Sequence, residues 1–203
     1  MKYSFDESEL TSEKSLWDVY KLSRRILPSR FNSIAVLLVT GLLAVNSFIL
    51  EADAGRILSA TRKWVEVGFS FSIATLGFLI AGFTIFSTLS KPKMMLAMME
   101  HTNKGTGLPT LKYNYFAFMQ VFIAYILFSS IFILIHLFGM ESGLLSNLLR
   151  LIPDGVCIKL AIIKSAYCFV GGSIFYLLLL LKSFVFNIYA IVMNFLRWEY
   201  HQD

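Results

Sequence analysis

The residues that could do chemistry are few, and most sit inside apolar sequence. Gly171, Gly172 and Ser173 form a small-residue cluster within an uncharged run, 165–181. A serine beside glycines inside a membrane would suit an intramembrane nucleophile, provided a base lies within hydrogen-bond reach. His136, near the outer end of another apolar run, is the candidate base. Counted along helices, Ser173 lies roughly 6 Å from it in depth, and no glycine follows the serine. The glycine pair therefore reads as close helix packing. His136 alone reads as an interhelical hydrogen-bonder, Arg62 with Glu66 as an interfacial ion pair, and Gln120, Asn187 and Asn194 as polar glue.

Other chemistries fare no better. Cys157 and Cys168 would stand roughly 16 Å apart along one helix, beyond disulfide reach, and read as free thiols. Three histidines and two cysteines show no metal-ligand spacing. The stretch "NKGTGLP" lacks the Gly-Lys-Ser/Thr ending that cradles phosphate. No catalytic residue, cofactor or metal is expected, and the chain reads as non-enzymatic.

The elements that must hold these residues belong to a membrane protein. The 203 residues are 57% hydrophobic and only 15% charged, with a mean hydropathy of +0.68. That is too little charge to clothe a soluble domain of this length. A hydrocarbon core of about 30 Å takes about 20 apolar residues to cross. The pattern predicts an all-α polytopic fold with four transmembrane helices at about 31–50, 67–90, 113–140 and 160–182, joined by short outer loops. An amphipathic arm, 1–30, precedes this 31–182 domain, and a helical extension, 183–203, follows it. No cleavable signal is expected, because the first thirty residues lack an apolar core. Lys2, Lys14, Lys21, Arg24, Arg25 and Arg30 crowd the arm, and Lys91, Lys93, Lys104 and Lys112 the central loop. The other two loops each carry three Lys or Arg. The positive-inside rule then puts both termini in the cytoplasm of a cell with the chain in its inner membrane. The net charge of +5 reflects this bias, so no direct nucleic-acid binding is expected.

The second span is unusual in giving half its length to Ser, Thr, Gly and Ala. Ser70, Ala74, Gly77, Ala81, Thr84 and Thr88 recur at steps of four and three, a heptad seam of small residues suited to close helix contact. Ser72, Thr75 and Gly82 make a second small patch on another side. A helix with two contact faces belongs inside a bundle or an oligomer. The rival reading lines a pore with Ser70, Thr84 and Thr88, but no charged ring accompanies them.

At the cytoplasmic side three elements converge. The arm predicts a helix from near Thr11 or Ser12 to Pro28, with Leu16, Trp17, Tyr20, Ile26 and Leu27 on its apolar side and basic residues for lipid headgroups. In the loop, Met94, Met95, Met98 and Met99 form a flexible apolar set. In the extension, Phe184, Ile188, Val192 and Phe195 need cover. Together they are the candidate partner contact. On the outer side, Leu144, Leu145, Leu148, Leu149 and Ile152 predict a short helix lying on the membrane, ended by Pro-Asp-Gly. Lys164 and Lys182 lie roughly 27 Å apart along a helix, so they are placed at opposite interfaces, with Trp64 and Trp198 as further anchors. A register with Lys182 inside the membrane, and Arg197 and Trp198 at the inner interface, would need an acidic partner or a wet cavity.

Four spans, inward termini, minimal outer loops and "LGFLIAGFTIFSTLSKPKMM" running into a cytoplasmic loop resemble the small membrane subunits of bacterial antiphage defence systems, of the Kiwa membrane-subunit type. The resemblance implies a homo-oligomeric membrane sensor holding a soluble effector on its cytoplasmic side. The expected function is thus a scaffold or sensor that homo-oligomerises in the lipid bilayer and recruits a cytoplasmic protein partner in antiviral defence. The alternative is a small channel or pore-forming effector that depolarises the membrane.

Overall fold

The structure, a computed structural model, describes residues 4–26, 29–89, 91–140, 143–150 and 155–200. In chain order these form α1 (Glu7–Leu10), α2 (Leu16–Ser23), α3 (Arg30–Val45) continued by a π turn (Asn46–Leu50), α4 (Ala54–Leu89), α5 (Pro92–Glu100), α6 (Thr110–Gly139), α7 (Leu144–Arg150) and α8 (Gly155–Tyr200). Among the described residues there is no strand beyond an isolated bridge between Thr102 and Pro109. Four helical segments are long and apolar enough to cross a membrane: Arg30–Leu50, Ala54–Thr88, Thr110–Gly139 and Val156–Tyr200. The chain is an all-α, multi-pass membrane protein.

Several boundaries differ from those the sequence predicts. The second helix starts at Ala54, so most of the expected 51–63 loop is helical. Asp53 begins it: its Oδ1 accepts from the Gly55 N–H at 2.8 Å and the Arg56 N–H at 3.4 Å, satisfying donors a helix start leaves orphaned. The added turns bury Ile57, Thr61 and Val65 at helical spacing. The arm holds two short helices in place of one, because Ser15 caps α2 by accepting from the Asp18 N–H at 3.2 Å. The expected stop at Pro28, with Leu27, lies outside the described residues, as do Ile152 and the Pro153–Asp154 turn; the side chain of Leu149 is likewise outside them.

The chain folds as two compact units. Unit 1 comprises Met1–Leu27, Gly77–Ala124 and Leu180–Asp203; unit 2 comprises Pro28–Leu76 and Tyr125–Leu179.

In unit 2 the packing relies on small side chains and short hydrogen bonds, as expected where lipid offers no hydrophobic drive between helices. Ser72 on α4 and Ser129 on α6, both buried, have their hydroxyls 2.7 Å apart. The Tyr125 hydroxyl donates to the Leu177 carbonyl at 2.8 Å, joining α6 to α8. A Cβ on Gly68 would lie 3.0 Å from Ile174 and from Phe132. On α8, a Cβ at Gly171 would lie 2.6 Å from Leu43 and Trp64, and one at Gly172 would strike the Thr40 hydroxyl. The π turn widens α3 so that three successive residues reach α8. Asn46 Nδ2 donates to the Tyr167 hydroxyl at 3.2 Å, Ser47 Oγ lies 3.3 Å from Cys168 Sγ, and the Phe48 ring lies under Lys164 Nζ.

Unit 1 is built on aromatic rings. Phe83 and Phe86 of α4, Tyr115, Phe118 and Phe122 of α6, and Phe184 of α8 form one cluster, with centroids as close as 5.1 Å for Phe86–Phe118. Gly82 lets the helices approach: a Cβ there would lie 3.0 Å from Ile188 and 3.2 Å from Phe184. Lys112 Nζ meets Glu13 Oε1 at 2.8 Å, with both side chains 13% exposed, and also donates to Ser12 Oγ at 2.7 Å. This ties the arm to α6. Lys91 pairs with Glu199.

Candidate functional site

The sequence suggests a partner contact that includes Phe184, Ile188, Val192 and Phe195 of α8, whereas the most exposed apolar side chains of that segment lie on another face of the helix. Of the eight candidate partner residues, Met94, Met99 and Phe184 are buried. Met95, Met98, Ile188, Val192 and Phe195 are half-buried. These side chains are largely spent on the unit's own packing. The exposed face of the extension is instead Val185, Phe186, Tyr189, Met193, Leu196 and Tyr200, between 47% and 80% exposed. At 100° per residue these six fall within one side of the helix, opposite Phe184, Ile188, Ile191 and Phe195. Sequence reasoning missed this face because the extension is apolar nearly all round. The available signal was the row Ser183, Asn187, Ala190 and Asn194, at helical spacing, which separates the covered side from the open one.

The small-residue seam of α4 also lies elsewhere than a bundle contact. Ser70, Ala74, Gly77, Ala81, Thr84 and Thr88 are all exposed. Within this chain α4 packs through the second small patch: Ser72 and Thr75 are buried, and Gly82 is closed over by Ile188 and Phe184. Large side chains border the seam, with Ile73, Phe78, Ile80 and Ile85 all exposed. Small residues between larger ones form a groove of the kind a helix ridge fills. The hydroxyls add little polarity, because Thr84 donates to the Ile80 carbonyl at 2.9 Å and Thr88 to the Thr84 carbonyl at 3.0 Å.

Of the expected anchors, Lys182 is exposed and Trp198 half-buried. Trp64 is half-buried and stacks on Tyr167 with centroids 4.5 Å apart. Lys164 is covered, at 8% exposure, with Nζ 5.6 Å from the Phe48 centroid. On α2, Leu16 and Trp17 are exposed beside exposed Lys21, Arg24 and Arg25. Lys21 Nζ lies 5.8 Å from the Trp17 centroid. The Ser15 hydroxyl, hydrogen-bonded to Asp18, holds that carboxyl below the usual carboxylate range; the Lys14 and Ser15 backbone bonds and the Lys21 charge act in the same direction.

Ser173 is buried and donates to the Val170 carbonyl at 2.8 Å, the usual resting bond of a helix serine. In the 103–107 turn, Asn103 Oδ1 accepts from the Gly105 and Thr106 N–H groups, the donors a phosphate would require. Cys157 is exposed and Cys168 buried, both as free thiols. Among the described residues no three His, Cys, Asp or Glu side chains gather as a metal site. No protein family model, curated protein or solved structure matches this chain.

Proposed function

We propose that this chain is a non-enzymatic membrane scaffold or sensor that homo-oligomerises and recruits a cytoplasmic protein through the end of α8. The observation that carries the reading is the exposed apolar face of residues 185–200 on a helix too long for the bilayer to cover. α8 has 46 residues, about 69 Å at 1.5 Å per residue. A bilayer with its headgroups spans about 45 Å, which leaves roughly 24 Å of helix outside it. The uncharged run 165–181 takes the hydrocarbon, so the projecting part follows Lys182. A contiguous apolar face in water is the mark of a partner site. The positive-inside bias supports a cytoplasmic location, and the exposed seam on α4 supports self-association. The resemblance to antiphage membrane subunits makes a defence effector the first partner to test.

The rival reading, a channel, draws on Ser70, Thr84 and Thr88. The hydroxyl protons of Thr84 and Thr88 are used within α4, which favours packing over the lining of a wet path. Ion flux through liposomes holding the purified chain separates the two. A scaffold leaves the vesicles tight. Ion-selective flux that survives truncation after Lys182 contradicts recruitment.

A further inference from the structure

The open side of α2 mixes apolar side chains with cations. At 100° per residue, Leu16, Tyr20, Arg24, Trp17 and Lys21 fall in that order within an arc of about 140°. Leu16, Trp17, Lys21 and Arg24 are exposed, whereas Val19, Leu22 and Ser23, outside the arc, are half-buried or buried. Trp17 stacks on Tyr20 with centroids 5.2 Å apart, and Lys21 Nζ lies 5.8 Å from the Trp17 centroid, so ring and charge form one patch. Asp18 is half-buried and outside the arc, and Glu13 is held by Lys112. The arm's other acids, Asp6, Glu7 and Glu9, stand at α1. Exposed Arg25 follows directly, so the patch is positively charged.

We propose that α2 docks on the anionic headgroups of the bilayer that the chain's own spans cross, with Leu16 and Trp17 at the headgroup–acyl boundary and Lys21 and Arg24 on lipid phosphates. The position of α2 supports this. Lys112, which bonds Glu13 and Ser12, stands directly before the uncharged run 113–140 of the third span. The first span begins at Arg30, shortly after α2. Successive spans alternate in direction, so the first and third enter from the same side of the membrane. The segment carrying α2 is thus held to one bilayer surface from both ends. Its chemistry suits that surface. Tryptophan favours the membrane interface, and Lys and Arg lay apolar stems on it while their charges reach the headgroups. Basic residues near anionic lipid add attraction one by one. Protein interfaces, by contrast, are depleted in lysine. Docking of this kind requires neither oligomer nor recruited protein, so it stands apart from the scaffold reading.

Fluorescence quenching of the full chain in nanodiscs provides the test. A dye on Leu16→Cys, in a background with Cys157→Ser and Cys168→Ser, reports whether α2 meets lipid. Discs of phosphatidylcholine are compared with discs that also contain phosphatidylglycerol. Each is probed with a neutral aqueous quencher and with a lipid carrying a nitroxide near its headgroup. With phosphatidylglycerol the dye should be shielded from the aqueous quencher and quenched by the nitroxide lipid. The docked-to-free ratio should exceed that in phosphatidylcholine by about fivefold for each basic residue engaged. Lys21 and Arg24 are exposed, so Lys21→Gln with Arg24→Gln should spare the fold and bring the two bilayers within about fivefold of each other. Equal shielding of the unaltered arc in the two bilayers overturns the proposal, as does a difference that survives the double substitution. A dye shielded from water yet untouched by the nitroxide lipid would mean that protein covers α2, and overturns it as well.

Discussion

Gly172 on α8 faces Thr40 on α3 so closely that a single added Cβ would strike the threonine hydroxyl. At Gly77 on α4, by contrast, an added Cβ meets nothing within 4 Å. One glycine serves packing inside the chain, and the other lies on an open face. Gly172→Ala should therefore destabilise the fold by about 1–3 kcal/mol, the usual cost of overpacking, since a β-branched neighbour cannot swing aside. Gly77→Leu should leave the monomer within about 0.5 kcal/mol of wild type. Combined with Ala81→Leu it should dissociate the proposed oligomer. Thermal unfolding and light scattering in mild detergent read the two effects separately. An assembly unchanged by the double variant would mean that the seam faces lipid.

This division between inner and outer faces could be read from the sequence only in part. The uncharged runs gave the spans, because nothing else tolerates so many apolar residues without charge. The start of α4 was hidden by Arg56, Arg62, Lys63 and Glu66, whose polarity masked the buried Ile57, Thr61 and Val65 beneath them. The two small patches of the second span were both legible. Spacing alone could not say which one the chain keeps for itself. The choice depends on where Ser129 and Phe184 arrive from distant sequence.

The α2 cap carries a pH prediction. Asp18 titrates below its ordinary range because Ser15 bonds its carboxylate. A lowered folded pKa stabilises the ionised state, so the contribution is fully present above the unfolded value of about 3.9 and is lost as pH falls through the lowered one. Ser15→Ala should move the Asp18 titration upward toward the ordinary carboxylate. Carboxyl NMR of the detergent-solubilised protein measures it. A titration unaltered by the substitution would exclude the hydroxyl as the main cause.

Lys182 tests where α8 leaves the membrane. It is exposed, and the proposed topology with both termini inward expects it at the inner interface. In a background with Cys157→Ser and Cys168→Ser, Lys182→Cys should react with an impermeant thiol reagent added from the cytoplasmic side. Protection from both sides would put the lysine within the hydrocarbon and shift the whole register.

The central claim is that residues 185–200 recruit a partner, and one co-purification measures it most directly. Phe186 and Leu196 are exposed, so Phe186→Glu with Leu196→Glu should spare the fold. Charges at the half-buried Met98 and Phe195 would instead test packing. Membrane insertion and oligomer size of the double variant are verified first, and the chain is then purified from its native host in mild detergent. The account predicts that a soluble protein held stoichiometrically by the wild-type chain is lost from the variant, while the chain itself is recovered in equal yield. A partner retained at wild-type stoichiometry by the variant would contradict it.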